Sequence, residues 1–109
     1  MQDYHILIAG DTSVSDLAAI VEPLIDEERT LTEHGYTYGP GIYAVTDSEM
    51  GGLAYVDNGL PLSQFRFEVF TRAFDAEAWI RRVYGMLERD TGCRLLLLRG
   101  LTEVLAQRP

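Results

Sequence analysis

The side chains that could run acid–base, nucleophilic or metal chemistry are unevenly supplied in this chain. Seventeen carboxylates stand beside two histidines and one cysteine. Two histidines without a cysteine pair argue against a zinc site, which wants four Cys or His ligands or three and a water. Asp47, Glu49 and Asp57 could surround a hard cation if the segment between them folds back, but their spacing matches no calcium loop. No G-x-S-x-G elbow, P-loop, H-E-x-x-H or G-x-G-x-x-G motif occurs, and Gly39-Pro40-Gly41 lacks the length and the lysine of a phosphate loop. Nothing singles out a carboxylate pair for proton transfer. Cys93 opens an apolar run and reads as a buried structural thiol, and His5 reads as a packed strand residue. The expectation is a protein with no catalytic residue, metal or cofactor.

What the carboxylates can do is recognise. Residues 1–64 hold eleven acids and one base, Arg29, and sum to −10; residues 65–109 hold six acids and eight arginines and sum to +2. Phosphate neutralisation needs clustered Lys or Arg, so this distribution argues against a nucleic-acid partner. It favours a cationic partner and fast, salt-sensitive association. Solubility alone accounts for such a composition equally well. On the binding reading, Asp26, Glu27 and Glu28 form the most exposed negative knob, and Glu33, Asp47, Glu49 and Asp57 extend it. Tyr36 and Tyr38 would be the apolar anchors, because tyrosine beside carboxylates suits an Arg- or Lys-rich protein face. Tyr43 and Tyr55 read as cross-strand packing.

The elements that must position these residues centre on Phe65 to Arg99, a strand, an amphipathic helix and a second strand. Residues 65–74 alternate, with aromatics on both faces. Ala76, Trp79, Ile80, Val83, Tyr84 and Leu87 then recur at helical spacing behind a cap at Asp75. Gly92 is placed to end that helix near Asp90 in a left-handed conformation, and Gly85 inside it is a tolerated cost of about 1 kcal/mol. Leu95 to Leu98 reads as a strand buried on both faces. Upstream, residues 4–9 read as a first strand. Ser13 or Ser15 caps a helix whose stripe is Leu17, Ile20, Val21, Leu24 and Ile25, with Pro23 stopping or kinking it near Val21. Residues 30–38 read as one strand bulged at His34-Gly35, and residues 42–46 and 53–56 as two arms of a hairpin. Thr102 caps a last helical turn over 103–107.

The order is β-α-β-β-β-β-α-β in a single domain spanning 1–109. It predicts an α+β fold with a mostly antiparallel sheet, two helices on one face, and a split β-α-β, ferredoxin-like topology. The first and last strands look two-sided, so a partner or a second copy could cover the other sheet face. No apolar run approaches the roughly 20 residues that span a bilayer. The N-terminus lacks a basic signal-peptide region, and the single cysteine rules out an internal disulfide framework. The expected location is cytoplasmic, with no membrane partner.

From Asp57 to Leu105 the chain resembles the small bacterial immunity proteins that accompany polymorphic toxins. The features are Asp57-Asn58-Gly59-Leu60, then Leu62-Ser63-x-Phe65-x-Phe67, an amphipathic helix, Leu95 to Leu98, and Leu101-x-x-Val104-Leu105. The resemblance implies a stoichiometric inhibitor that plugs or covers its cognate toxin. Binding residues vary among such proteins, so the candidate residues here come from charge alone. The expected function is an immunity or antitoxin-type protein that occludes a basic toxin domain. The alternative is a small ligand-sensing or regulatory domain that forms a homodimer through its sheet, and a small enzyme stands third.

Overall fold

The computed structural model describes residues 2–39, 43–47, 65–71, 76–100 and 103–108, and for 65–71 the backbone alone. Strand β1 (Gln2–Ala9) leads into helix α1 (Val14–Val21) and a 3-10 turn at Glu22–Leu24. Among the described residues the strands that follow are β2 (Arg29–Thr32), β3 (Gly35–Tyr38), β4 (Tyr43–Asp47) and β5 (Phe65–Thr71). Helix α2 (Ala76–Asp90), β6 (Arg94–Arg99) and β7 (Glu103–Arg108) close the order. The strands make one antiparallel sheet in the order β2-β3-β4-β5-β1-β6-β7.

The α1 boundaries follow from local chemistry. Ser13 Oγ accepts the Asp16 N–H at 3.1 Å, satisfying one of the donors a helix start leaves open. Pro23 lacks an N–H, so the helix stops at Val21 and tightens into the 3-10 turn. In α2 the stripe is buried at Ala76, Ile80, Val83, Tyr84 and Leu87. Trp79 is half-buried, packs tilted on Tyr43 with centroids 5.0 Å apart, and donates its indole N–H to the Leu24 carbonyl at 3.2 Å. Asp75, the expected cap, lies outside the described residues.

The α2 terminus departs from expectation. Gly92 is not among the glycines with positive φ. The Thr91 backbone N–H and hydroxyl both donate to the Leu87 carbonyl, at 3.0 and 2.7 Å. Arg108, from β7, supplies the rest: its guanidinium donates to the carbonyls of Glu88 at 2.6 Å, Thr91 at 2.9 Å and Cys93 at 2.7 Å. A cation from another strand thus closes the negative end of the helix.

Two clusters fill the sheet. The larger joins Leu17 and Val21 of α1 and Ile80, Val83 and Leu87 of α2 with Tyr4, Ile6, Ile8, Tyr38, Val45, Leu95 and Leu97. The smaller holds Leu7, Leu96 and Leu98, which alternate with the first set along β1 and β6 and so point the other way. Leu95 to Leu98 are all buried, as the unbroken leucine run predicts. Leu7, Leu96 and Leu98 are buried within a single chain, so the two-sided strands do not require a second copy.

Two strands differ from the sequence reading. Residues 30–38 are not one bulged strand but two, because the chain reverses at Glu33-His34. Gly35 is what this needs: a Cβ there would run into the Val45 carbonyl oxygen of the neighbouring strand. Residues 103–107, expected as a helical turn, belong to β7, which pairs with the outer edge of β6 through a register shift at Leu97/Leu98. The strand over 43–47 is bonded by β3 and β5. The expected hairpin arm at 53–56 and the cap at Thr102 lie outside the described residues.

Candidate functional site

The acidic residues singled out by charge distribute along the β2–β3 hairpin, and Arg29 decides how they present. It is the one base among residues 1–64. Its guanidinium lies over the Tyr36 ring at 4.7 Å and donates to the Glu22 carboxylate at 3.3 Å. The Tyr38 hydroxyl donates to that same carboxylate at 3.1 Å. Arg29 is therefore turned toward Glu22 and Tyr36, and the carboxylates just before it, Asp26, Glu27 and Glu28, all stand exposed.

Backbone geometry fixes this knob. Gly39 donates its N–H to the Glu28 carbonyl at 3.0 Å, so the entry to β2 and the exit from β3 are bonded. Gly39 takes φ 62°, a left-handed conformation natural to glycine, and a Cβ there would approach the Glu27 carboxylate to 2.9 Å. Burial first, and then the Glu27 charge, push the Tyr43 hydroxyl above the ordinary tyrosine range.

Tyr38 does not serve as the expected surface anchor. It is 1% exposed and lies in the main cluster. Desolvation by burial raises its pKa first, and the Glu22 charge and hydrogen bond raise it further. Strand alternation places Tyr36 and Tyr38 on one face, and that face is the core. Tyr36 is half-buried, with its ring under Arg29.

At the other end of the hairpin, Glu33 is exposed in the turn. Asp47 meets His34 there: Nδ1 to Oδ1 is 3.4 Å, and the Asp47 N–H donates to the His34 carbonyl at 2.9 Å. Asp47 thus belongs with Glu33 rather than with Asp26 to Glu28. The two groups sit at opposite ends of β2, roughly 15 Å apart at about 3.4 Å per residue. Glu49 and Asp57 lie outside the described residues. Among the described residues no three His, Cys, Asp or Glu side chains gather as a metal-holding group.

No protein-family model, curated protein or solved structure matches this chain.

The sequence reading placed residues 30–32 in a strand but missed that the chain reverses after them and that β2 is an exposed edge. All four of its residues are exposed, Leu31 by 74%, and β2 ends the strand order. The alternation of Thr and Tyr over 30–38 marked the strand, but nothing in it marked the edge. Elsewhere, His5 is buried and its Nε2 lies 2.7 Å from Asp3 Oδ2, while Cys93 is buried as expected. The Tyr84 hydroxyl and Thr46 Oγ1 are buried without a hydrogen-bond partner. No described helix is long and apolar enough to cross a membrane.

Proposed function

We propose that this chain is an immunity-type protein that binds a cationic toxin domain through the acidic hairpin and occludes it. One observation carries the reading: Asp26, Glu27 and Glu28 stand exposed together while the adjacent base, Arg29, is engaged by Glu22 and Tyr36. An exposed face of that sign attracts Lys and Arg and repels phosphate. The carboxylates would take the positions of an anionic substrate on the toxin, with no chemistry by the chain itself. Asp26, Glu27, Glu28 and Glu33 make the contact, Leu31 replaces Tyr38 as the apolar anchor, and Asp47 supports the far end. In the same reading the protein is cytoplasmic. Its frame is a split β-α-β core of β4-β5-β1-β6 with both helices on one face, extended by the β2–β3 hairpin and β7.

The test is co-expression with the product of the adjacent reading frame, purified at low and high salt and paired with growth rescue. The expected result is a salt-sensitive complex and restored growth. Replacing Asp26, Glu27 and Glu28 together by lysine should slow association about tenfold or more, the usual scale of electrostatic steering. An unchanged association rate would remove this patch from the interface. The regulatory-dimer alternative loses its motivation, since the second-face leucines are already buried in one chain.

A further inference from the structure

The hairpin register shows which backbone groups of β2 are already used. Glu28 is bonded to Gly39, and the same ladder pairs Thr30 with Thr37 and Thr32 with Gly35. In an antiparallel ladder hydrogen-bonded pairs alternate with non-bonded ones. Arg29 and Leu31 are the non-bonded positions, opposite Tyr38 and Tyr36. Their N–H and C=O groups therefore point away from β3, toward the side on which no described strand lies. An exposed edge of this kind is a ready template for another strand.

We propose that β2 receives an extended, basic segment of the partner protein, which adds to the sheet as a further strand bonded to Arg29 and Leu31. This deepens the reading above and rests on it. Charge selects the occupant. Glu28 and Glu33 bracket the edge, with Asp26 and Glu27 beyond, so a strand carrying Lys or Arg is favoured along its length. Leu31 and the half-buried Tyr36 are cross-strand partners and offer an apolar contact on one face of the added strand. A second copy of β2 is disfavoured by the same charges. A second copy would bring its own Asp26, Glu27, Glu28 and Glu33 against the same four carboxylates, with only Arg29 to offset them, whereas a basic strand meets opposite charge.

The experiment uses the full chain, isotope-labelled for amide NMR, and a capped Arg-Val-Arg-Val-Arg-Val peptide as probe, about one strand in length. The control is the same peptide N-methylated at alternate residues, which keeps the charge and cannot pair as a strand. The expected result is that the Arg29 and Leu31 amides shift and exchange more slowly with solvent, while those of Thr30 and Thr32, already bonded, change less. The control should bind about tenfold more weakly, the scale of one to two lost backbone hydrogen bonds. Leu31→Pro tests the same point from the protein side. It deletes an outward donor on an edge strand, where proline is tolerated, and should weaken binding about fivefold to tenfold without unfolding the hairpin.

Equal binding of both peptides, with shifts confined to Asp26, Glu27 and Glu28, would overturn strand addition and leave the acidic-surface reading standing. If neither peptide binds at low salt, both readings are overturned. A concentration-dependent rise in mass without peptide, with Arg29 and Leu31 shifting, would overturn the cationic partner in favour of a second copy.

Discussion

Replacing Arg108 by alanine tests the most specific long-range contact in the fold. The guanidinium bridges the carbonyls of Glu88, Thr91 and Cys93, and so joins the end of β7 to the end of α2 and the start of β6. The three carbonyls share one guanidinium and two of them lie where water can replace it, so together they are counted as one buried charged hydrogen bond, about 1.5 kcal/mol. The attraction of a cation to the helix C-terminus adds about 0.5 kcal/mol. Water reaches Glu88 once the side chain is gone, but the Cys93 side is buried. We therefore expect a loss of about 2 kcal/mol, or a fall in Tm of about 8 °C for a domain of this size. Urea unfolding followed by tryptophan fluorescence, with Trp79 as reporter, would show a lower midpoint at unchanged slope. Arg108→Lys separates the two contributions, because lysine keeps the charge but not the fork; it should cost about half as much. An Arg108→Ala midpoint within about 0.5 kcal/mol of wild type, the ordinary scatter of surface substitutions, would refute the clamp.

Gly85→Ala should stabilise by up to about 1 kcal/mol, since a Cβ there meets nothing within 4 Å and the helix gains a better former; a destabilised variant by the same urea assay would contradict this. Gly39→Ala should cost about 1 kcal/mol, because φ 62° is strained for a side chain, and unchanged stability would show that the turn relaxes freely. Tyr38, Tyr43 and Tyr84 all have pKa values raised, burial being the first cause in each. The unfolded chain releases these protons near pH 10 and the folded chain holds them longer. Stability is therefore retained below about pH 10 and falls as pH rises beyond it, by up to ~1.4 kcal/mol per pH unit for each tyrosine. Urea midpoints between neutral and alkaline pH should show a shallower fall in Tyr38→Phe, and a flat wild-type profile would count against the buried hydroxyls.

Some of this architecture is written locally. Ser13 and Pro23 bracket α1, and the stripe from Ala76 to Leu87 sets the buried face of α2. An unbroken run of four leucines fits a buried helix or a strand buried on both sides, and the glycines that bound it favour the strand. The residues 103–108 could not be read the same way, because Glu, Leu, Ala, Gln and Arg favour a helix. They form β7 because β6 offers a free edge and the α2 end offers carbonyls to Arg108, neither of which is local information. The turn at Glu33-His34 was hidden for a related reason. No described residue other than glycine takes positive φ, so the usual Asn-Gly or Asp-Gly hairpin signal is absent. In the candidate site, the net charge of the N-terminal half was legible and its arrangement was not. Alternation shows that Tyr36 and Tyr38 share a face, but only the helices decide that this face is the core.

The position of β1 has a kinetic consequence. The first strand of the chain stands in the middle of the sheet, and its partners are β5 at 65–71 and β6 at 94–99. No local hairpin can bring them together, so the central pairings wait for distant segments to meet, and the entropy of closing those loops is lost before any bond repays it. The chain should fold on the slow side of small domains, in milliseconds to seconds. Until it does, the apolar run Ile6-Leu7-Ile8 has both edges open to neighbouring chains. Speed of assembly then matters as much as final stability, and crowded expression is where mispairing of this strand would first be seen.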